Sequence, residues 1–468
     1  MIKKTFSHIA ACMVLAVAGT PCTAQTGGTN DTQLHLMQPD FQGLPYGIPA
    51  KEKVKQDIDR VLTFLEGAMP IEVVNNKLRQ GGLRLTSYEA GVLYAAAQDA
   101  ARSTGEKRYM RFVTDRLLTM AELAPKVSDS ISRNRNYDRQ MRPLVNPHSL
   151  DDAGAMCAAY CRLLLSEELR VKSSLNNVIR GYMNRLWKTY RIGDDKIYAR
   201  LWPHYNTVWL DDMFMGVPSL AWYGALKGDT ASIGDAVRQV RAFRDRMWVE
   251  LPSFGGVGGG LFRHGWVEEM NPHPFFPWGR ANGWAILTMC EVLDAINAYE
   301  RSVSGASVFD SQKTEIIGLL RQHIAGLCAV QDKSGLWHQL LNDPTSFLET
   351  SASAIFAYCM AHAICEGWID PIAYGAQTLL AWNAVSTQIN DKGQVENTVV
   401  GSGMGFDRAF YCHRPVHVMA AHGYGPVIWA GSEIIRMLGK THPKMNDSAV
   451  HFYPAKQNSR KLVFSEER

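Results

Sequence analysis

The chain predicts an all-α protein, an (α/α)6 barrel of six helical hairpins. Helical periodicity runs along almost all of its 468 residues, with convincing strands almost nowhere. Glycine and proline cluster between the periodic stretches. The connections alternate, short after each even helix and long after each odd one. In an up-and-down array all the long loops then gather at one end, the end where functional residues usually sit. Twelve helices in six hairpins is the count such a ring needs. An open solenoid of helical pairs is the rival, but no repeat of fixed period and consensus is visible.

The helices fall at 51–67, 86–103, 106–122, 150–167, 173–190 and 209–226, then at 231–249, 282–301, 310–330, 349–366, 371–388 and 425–439. In the first, Val54, Ile58, Val61, Leu62 and Leu65 form one apolar stripe. Tyr88 opens the second. A long loop, about 123–149 and rich in Arg and Asn, follows the third. Asp151-Asp152 open the fourth, followed by Ala-Gly-Ala, and Cys157 and Cys161 within it read as small core residues. Asp211-Asp212 open the sixth, inside WPHYNTVWLDDMFMGVPSLAWYG (202–224), where Trp222 reads as packing. The run from Gly255 to Gly260 reads as a flexible loop. It follows no strand and opens no helix, which argues against a phosphate cradle. Arg280-Ala-Asn-Gly-Trp284 opens the eighth helix and Glu349-Thr350-Ser351 the tenth. His422-Gly-Tyr-Gly425 precedes the twelfth.

The flanks read differently. Lys3 and Lys4, the short apolar run Ile9 to Val17, and Cys22-Thr23-Ala24 form a signal peptide over 1–24, which implies a periplasmic or secreted protein. A lipid anchor on Cys22 fits the preceding Gly19-Thr20-Pro21 poorly. An extended lead-in (25–50) precedes the barrel (51–440), and a polar tail (441–468) follows it. Net charge is only +4 and no Lys/Arg run forms a basic patch, which excludes nucleic acid as a partner. No other stretch has the length and apolarity for membrane insertion of the mature chain. Nine cysteines, two of them in the leader, leave an odd seven, which argues against a disulfide framework. His204, His264 and His338 share one face, but their separations carry no ligand signature, so neither a metal nor a cofactor is expected. Hydrogen bonding to sugar hydroxyls suits them better.

An Asp, Ser or Thr at a helix start has a plain explanation as a cap that complements the macrodipole. Recurrence at the same end of successive hairpins, beside tryptophan, points further. Eight of the twelve tryptophans lie between Trp202 and Trp337. Trp209, Trp278 and Trp284 adjoin polar loop residues and are the ones expected to face a cleft. Aromatic faces stack on pyranose C–H surfaces, and a half-desolvated carboxyl holds its proton near neutral pH, so this pattern suits a sugar-cleaving pocket.

The segments LDDAGAM (150–156), VWLDDMFMGVPSLAW (208–222), GLFRHGW (260–266), WGRANGW (278–284), SGLWHQLL (334–341), ETSASAIFAY (349–358) and HGYGP (422–426) together resemble glycoside hydrolase family 105, the unsaturated rhamnogalacturonyl hydrolases and their relatives. The resemblance runs in order from about residue 50 to 440. It implies an (α/α)6 barrel and removal of a 4,5-unsaturated uronic acid from the non-reducing end of lyase-generated oligosaccharides. The implied chemistry is hydration of a vinyl ether. One carboxyl group protonates C4 and then deprotonates the water that adds at C5, so the carboxylate-spacing rule for other glycosidases does not apply. By the resemblance, the acid/base is Asp211. Asp212 points about 100° further round the helix and reads as a cap or supporting group. The other pocket Asp falls on Asp152, to hold sugar hydroxyls or orient the water. His204, Trp209, His264, Trp278, Arg280 and Trp284 fall on pocket positions, with Arg280 as a fork for the substrate carboxylate. Tyr88 joins them on a looser alignment. Two other readings stay open: an inverting glycosidase with Asp152 and Asp211 as its pair, and a non-catalytic glycan-binding barrel. Unsaturated galacturonate linked to rhamnose is the expected substrate, with unsaturated glucuronate from ulvan or arabinogalactan as alternatives. Oligomeric state is not legible.

Overall fold

The computed structural model describes residues 46–166, 173–254, 257–303, 308–445 and 449–452. The signal peptide, nearly all of the lead-in and most of the tail lie outside the described residues.

Among the described residues, twelve long helices build the molecule. They are α1 (Lys51–Ala68), α2 (Tyr88–Thr104), α3 (Lys107–Ser132), α4 (Leu150–Leu165), α5 (Ser173–Trp187), α6 (Asp211–Lys227), α7 (Thr230–Met247), α8 (Gly279–Val303), α9 (Asp310–Ala329), α10 (Thr350–Cys365), α11 (Pro371–Ser386) and α12 (Tyr424–Thr441). The even-numbered helices pack in sequence, α2 on α4, α4 on α6 and so on, and α12 returns to α2, which closes a ring. Each odd-numbered helix packs outside its neighbours. The architecture is therefore the (α/α)6 barrel that periodicity predicted. Burial follows the layers. α10 is buried along its whole length, whereas α1 buries only the stripe that includes Val54, Ile58, Val61, Leu62 and Leu65. Among the described residues no helix is long and apolar enough to cross a membrane.

Three expectations change. The third helix does not stop near 122. It continues through Pro125 to Ser132, because Leu123 and Val127 extend its buried stripe. The connection to α4 is accordingly shorter and contains two single turns, Arg139–Met141 and Arg142–Val145. The eighth helix starts at Gly279, which puts Arg280 and Trp284 in its first two turns. Strands exist, as short antiparallel pairs laid across the long loops. The longest pair joins Trp248–Phe254 to Val257–Phe262, so the described part of the glycine run is paired strand and does follow a strand. In the tail, Lys444–Met445 pairs with Val450–His451, and Phe452 is buried against Gly375 of α11.

Candidate active site

The long connections meet at one end of the ring, and a three-residue ladder fixes the centre there. Thr207–Trp209 pairs with Gly265–Val267, Trp209 opposite Gly265, and the Leu210 N–H donates to the His264 carbonyl at 2.9 Å. Asp211, the first residue of α6, and His264 therefore emerge side by side. Glycine is required opposite the ladder: a Cβ on Gly265 would lie 1.7 Å from Met404 Sδ.

His264 Nε2 lies 2.9 Å from Asp211 Oδ2, and its Nδ1 lies 2.7 Å from the Tyr411 hydroxyl. Tyr411 in turn accepts from the Gly405 N–H at 3.0 Å and faces the Gly405 carbonyl at 3.2 Å. If the imidazole is protonated on Nε2, that hydrogen points at Asp211. If Nδ1 carries a hydrogen for Tyr411, the short Nε2–Oδ2 contact still requires a proton between them. The Nε2 hydrogen of a neutral imidazole only orients Asp211; the pair holds a transferable proton when both ring nitrogens, or Nδ1 and the Asp211 carboxyl, are protonated. Asp211 Oδ1 has no hydrogen bond among the described residues, and the side chain keeps 11% exposure. Burial pushes the Asp211 carboxyl up. The neighbouring His264, with Arg200 and Arg280 behind it, outweighs burial and holds the group below its ordinary range. The α6 N-terminus acts in the same direction.

A second carboxylate cluster lies beside the first. Gly154 of α4 lets that helix touch α6: a Cβ there would lie 1.5 Å from the Met215 carbonyl oxygen. The two Asp-Asp pairs at the helix starts are thereby brought near each other. Arg200 grips Asp212 with two hydrogen bonds, 2.9 and 2.7 Å, reaches Asp151 at 3.2 Å, and lies 4.2 Å over the Trp209 ring. Asp212 is wholly buried and acts as a partner for Arg200. Burial pushes the Asp151 carboxyl up, and Asp212 and Asp211 add to it against the pull of Arg200, leaving it at about 6. Asp152 turns the other way. It pairs with Arg142 at 3.2 Å and accepts the His148 N–H at 2.8 Å. The structure therefore brings Asp151, the unexpected member of the pair, to Arg200, while Asp152 lines the same cleft from its edge.

Arg280 is buried and donates to the Val399 and Val400 carbonyls at 2.7 and 2.8 Å. No carboxylate pairs with it among the described residues. Its charge acts on Asp211 and Tyr88, but two arms of the expected fork already hold a loop. Glu349 grips the same loop by accepting the Val399 N–H at 3.0 Å, besides capping α10. Trp278 and Trp284 were expected to face the cleft, yet both are only 1% exposed. Trp278 donates to Gln339 at 3.0 Å and supports the His264 ring at 4.6 Å. Trp284 stacks on Phe214 at 4.8 Å and meets Tyr88 edge-on. They form the wall behind the reacting groups. The Tyr88 hydroxyl lies 2.5 Å from His422 Nε2. Burial, assisted by Arg280, holds His422 well below its ordinary value, so it is neutral and accepts from Tyr88. Trp209 is buried with its indole N–H unpartnered, next to Trp202, which is 71% exposed. His204 is exposed at the mouth, edge-on to Phe406, away from the expected pocket position. His338 bonds the Ser346 carbonyl at 2.5 Å and stands apart.

The loop end of the closed ring of helical hairpins thus holds a buried Asp211–His264 pair backed by an aromatic wall. The family model for Glycosyl Hydrolase Family 88 matches residues 67–438, and the chain belongs to that family. It is 33% identical over 147 residues to an unsaturated rhamnogalacturonyl hydrolase of Bacillus subtilis, a match covering 31% of this chain and 38% of that one. The match thus spans less than half of that relative. The crystal structure of a possible member of the GH105 family from Salmonella enterica serovar Paratyphi A superposes with a TM-score of 0.64 at 19% identity, over 84% of this chain and 96% of that one. The unsaturated glucuronyl hydrolase of Bacillus sp. GL1 gives a TM-score of 0.52 at 14% identity, over 81% and 96%. These structures share the barrel. The resemblance read from the motifs thus agrees with the matches to the family and to its solved neighbours.

Proposed function

We infer that this glycoside hydrolase removes a 4,5-unsaturated uronic acid from the non-reducing end of lyase-generated oligosaccharides by hydrating the vinyl ether. One observation carries the reading: Asp211 is paired with His264 and, among the described residues, keeps one carboxylate oxygen without a partner. The neighbouring carboxylates are tied, Asp212 and Asp151 to Arg200 and Asp152 to Arg142. A direct displacement needs two working carboxyls, whereas hydration needs one that gives and then takes a proton. In the reaction, the protonated Asp211 carboxyl delivers its proton to C4, and the ring oxygen stabilises the cation at C5. Asp211 then accepts a proton from the water adding at C5. The hemiketal opens and the aglycone leaves as an alcohol. The substrate carboxylate near Arg280 offsets one of the cations that lower Asp211, so binding itself favours the protonated acid.

The name of the Bacillus subtilis relative supports unsaturated galacturonate linked to rhamnose as the substrate. The leader-like residues 1–24 support a periplasmic or secreted location. The test is incubation with lyase digests of pectin, ulvan and glycosaminoglycan, followed by the ultraviolet absorbance of the conjugated alkene. The absorbance is expected to fall in at least one digest. Cleavage of saturated glycans with the alkene intact would overturn the reading, and binding without turnover would favour a glycan-binding barrel.

A further inference from the structure

Tyr411 reaches His264 from the side away from Asp211. Its hydroxyl has three neighbours: the Gly405 N–H at 3.0 Å, the Gly405 carbonyl at 3.2 Å and His264 Nδ1 at 2.7 Å. A tyrosine hydroxyl carries one hydrogen and two lone pairs. Burial pushes the Tyr411 phenol well above its ordinary value, so the hydrogen stays on. One lone pair takes the Gly405 N–H. The hydrogen then has two acceptors in reach, the Gly405 carbonyl and His264 Nδ1, and serves one at a time. The ring itself is fixed. Tyr411 is buried, packs on Phe276 at 5.4 Å, and its carbonyl accepts from the Gln339 amide at 3.3 Å.

Each position of that hydrogen goes with one state of the Asp211–His264 pair. With the hydrogen on Nδ1, the imidazole is neutral, its Nε2–H donates to Asp211, and the pair has no proton to give. With the hydrogen on the Gly405 carbonyl, the hydroxyl oxygen accepts an Nδ1–H, and the pair holds its transferable proton. No heavy atom has to move between the two. The second arrangement satisfies all three neighbours of the hydroxyl, and a bond donated by an imidazolium is about twice as strong as a neutral one. Without the hydroxyl, the Nδ1–H of a ring that is only 1% exposed has no acceptor, which costs the imidazolium more than the neutral ring. The other ionisable groups around the pair are Asp212 on α6, Asp151 on α4, Arg280 on α8, Tyr88 on α2 and Arg200 ahead of α6. Asp407 acts on Tyr411, and His273 lines the small cavity beside it. Among the described residues, none of these bonds to His264 Nδ1, so the hydroxyl alone governs that nitrogen.

We propose that Tyr411 is a positioning residue whose hydroxyl acts as a rotor, turning from His264 Nδ1 to the Gly405 carbonyl so that the Asp211–His264 pair keeps its proton to higher pH. This rests on the hydrolase reading above and adds a residue to it. The effect of Tyr411 passes through His264.

The test is Tyr411→Phe, which keeps the packed ring. On an unsaturated oligosaccharide the alkaline fall of kcat/KM is expected about one pH unit lower in the variant than in the parent. At neutral pH kcat is expected to drop about tenfold while KM stays within about twofold. A uniform loss at every pH, or a raised KM with kcat retained, would make Tyr411 a packing or binding residue and overturns the proposal. Added to His264→Gln, Tyr411→Phe is expected to change kcat by less than about twofold, because the residue it acts through is gone. A further tenfold loss in that background overturns it as well. A readout that needs no turnover is NMR of isotope-labelled histidine, with the His264 signals assigned by their absence in His264→Gln. The ring is expected to titrate about one pH unit lower in Tyr411→Phe. An unchanged midpoint overturns the proposal. A shifted midpoint in a protein that leaves every unsaturated substrate intact overturns the hydrolase reading instead.

Discussion

At the long-loop end of the barrel, His264 lies between Asp211 and the Tyr411 hydroxyl; at the opposite end, His362 lies between Asp294 and Glu433, 3.1 Å from each. Both ends hold an arginine that bridges two acids. Arg200 bridges Asp212 and Asp151, and Arg162 bridges Glu291 and Asp99. Both ends contain a cavity of similar size, about 1060 and 950 Å³. The difference lies in compensation. At the lower end Trp222 donates to Glu291 and Trp429 to Asp99, both at 2.6 Å, and Arg436 also pairs with Glu433. Burial opposes the charge on His362, but its two carboxylates outweigh burial and hold it well above its ordinary value, so it is a fixed cation. At the upper end one carboxylate oxygen of Asp211 and one indole N–H of Trp209 are left unmatched. Cavity size and charge density do not distinguish a site from a clamp here. The lower end leaves a group unmatched too, the buried Arg162 Nε, so what sets the upper end apart is that its open group is a carboxylate oxygen, able to take up and release a proton.

The contrast can be broken most directly at Asp211. Asp211→Asn removes the acid/base and is expected to lower kcat by about 10³-fold or more, near the upper part of the range for general acid–base catalysis, while the thermal midpoint stays close to that of the parent. Equal loss of kcat on changing the lower end would erase the distinction. There, Arg162→Met leaves the buried Glu291 without its cation, while Asp99 keeps Arg102. The expected cost is about 3–5 kcal/mol, read as a lowered urea midpoint, with kcat nearly retained. The smallest effect concerns pH. A histidine whose folded pKa is raised contributes stability fully below its unfolded value of about 6.5 and loses it as pH rises through the folded value. The melting temperature should therefore decline on the alkaline side, and His362→Gln should flatten that decline. An unchanged slope would remove His362 from the role of fixed cation.

Helix count and loop alternation were legible because they rest on local signals: periodicity, caps, and glycine or proline at the ends. α3 overran its expected end because the buried contacts of Leu123 and Val127 outweigh the missing N–H of Pro125. Most strands were missed because two or three residues of pairing leave no period to read, and the longer Val257–Phe262 strand was missed because its glycines read as a loop. In the candidate site, Asp211 and His264 stood out by motif. Arg200 and Tyr411 did not, since their partners come from remote parts of the sequence; Tyr411 lies 147 positions from His264. The resemblance chose Asp152 of the first pair, whereas Asp151 is the one that reaches Arg200. Adjacent helical residues differ by a rotation whose outcome depends on Arg142 and Arg200. The tryptophans misled in a consistent way. Bulk beside a loop predicted a stacking surface, but helix packing buries Trp278 and Trp284 behind the reacting groups.

The ladder that seats Asp211 beside His264 joins the segments entering α6 and α8, whereas the outer wall of the neighbouring cleft belongs to the segments entering α2 and α4. The Asp211–His264 pair and that wall thus come from separate stretches of the chain, so a substitution in one leaves the backbone pairing that seats the other untouched.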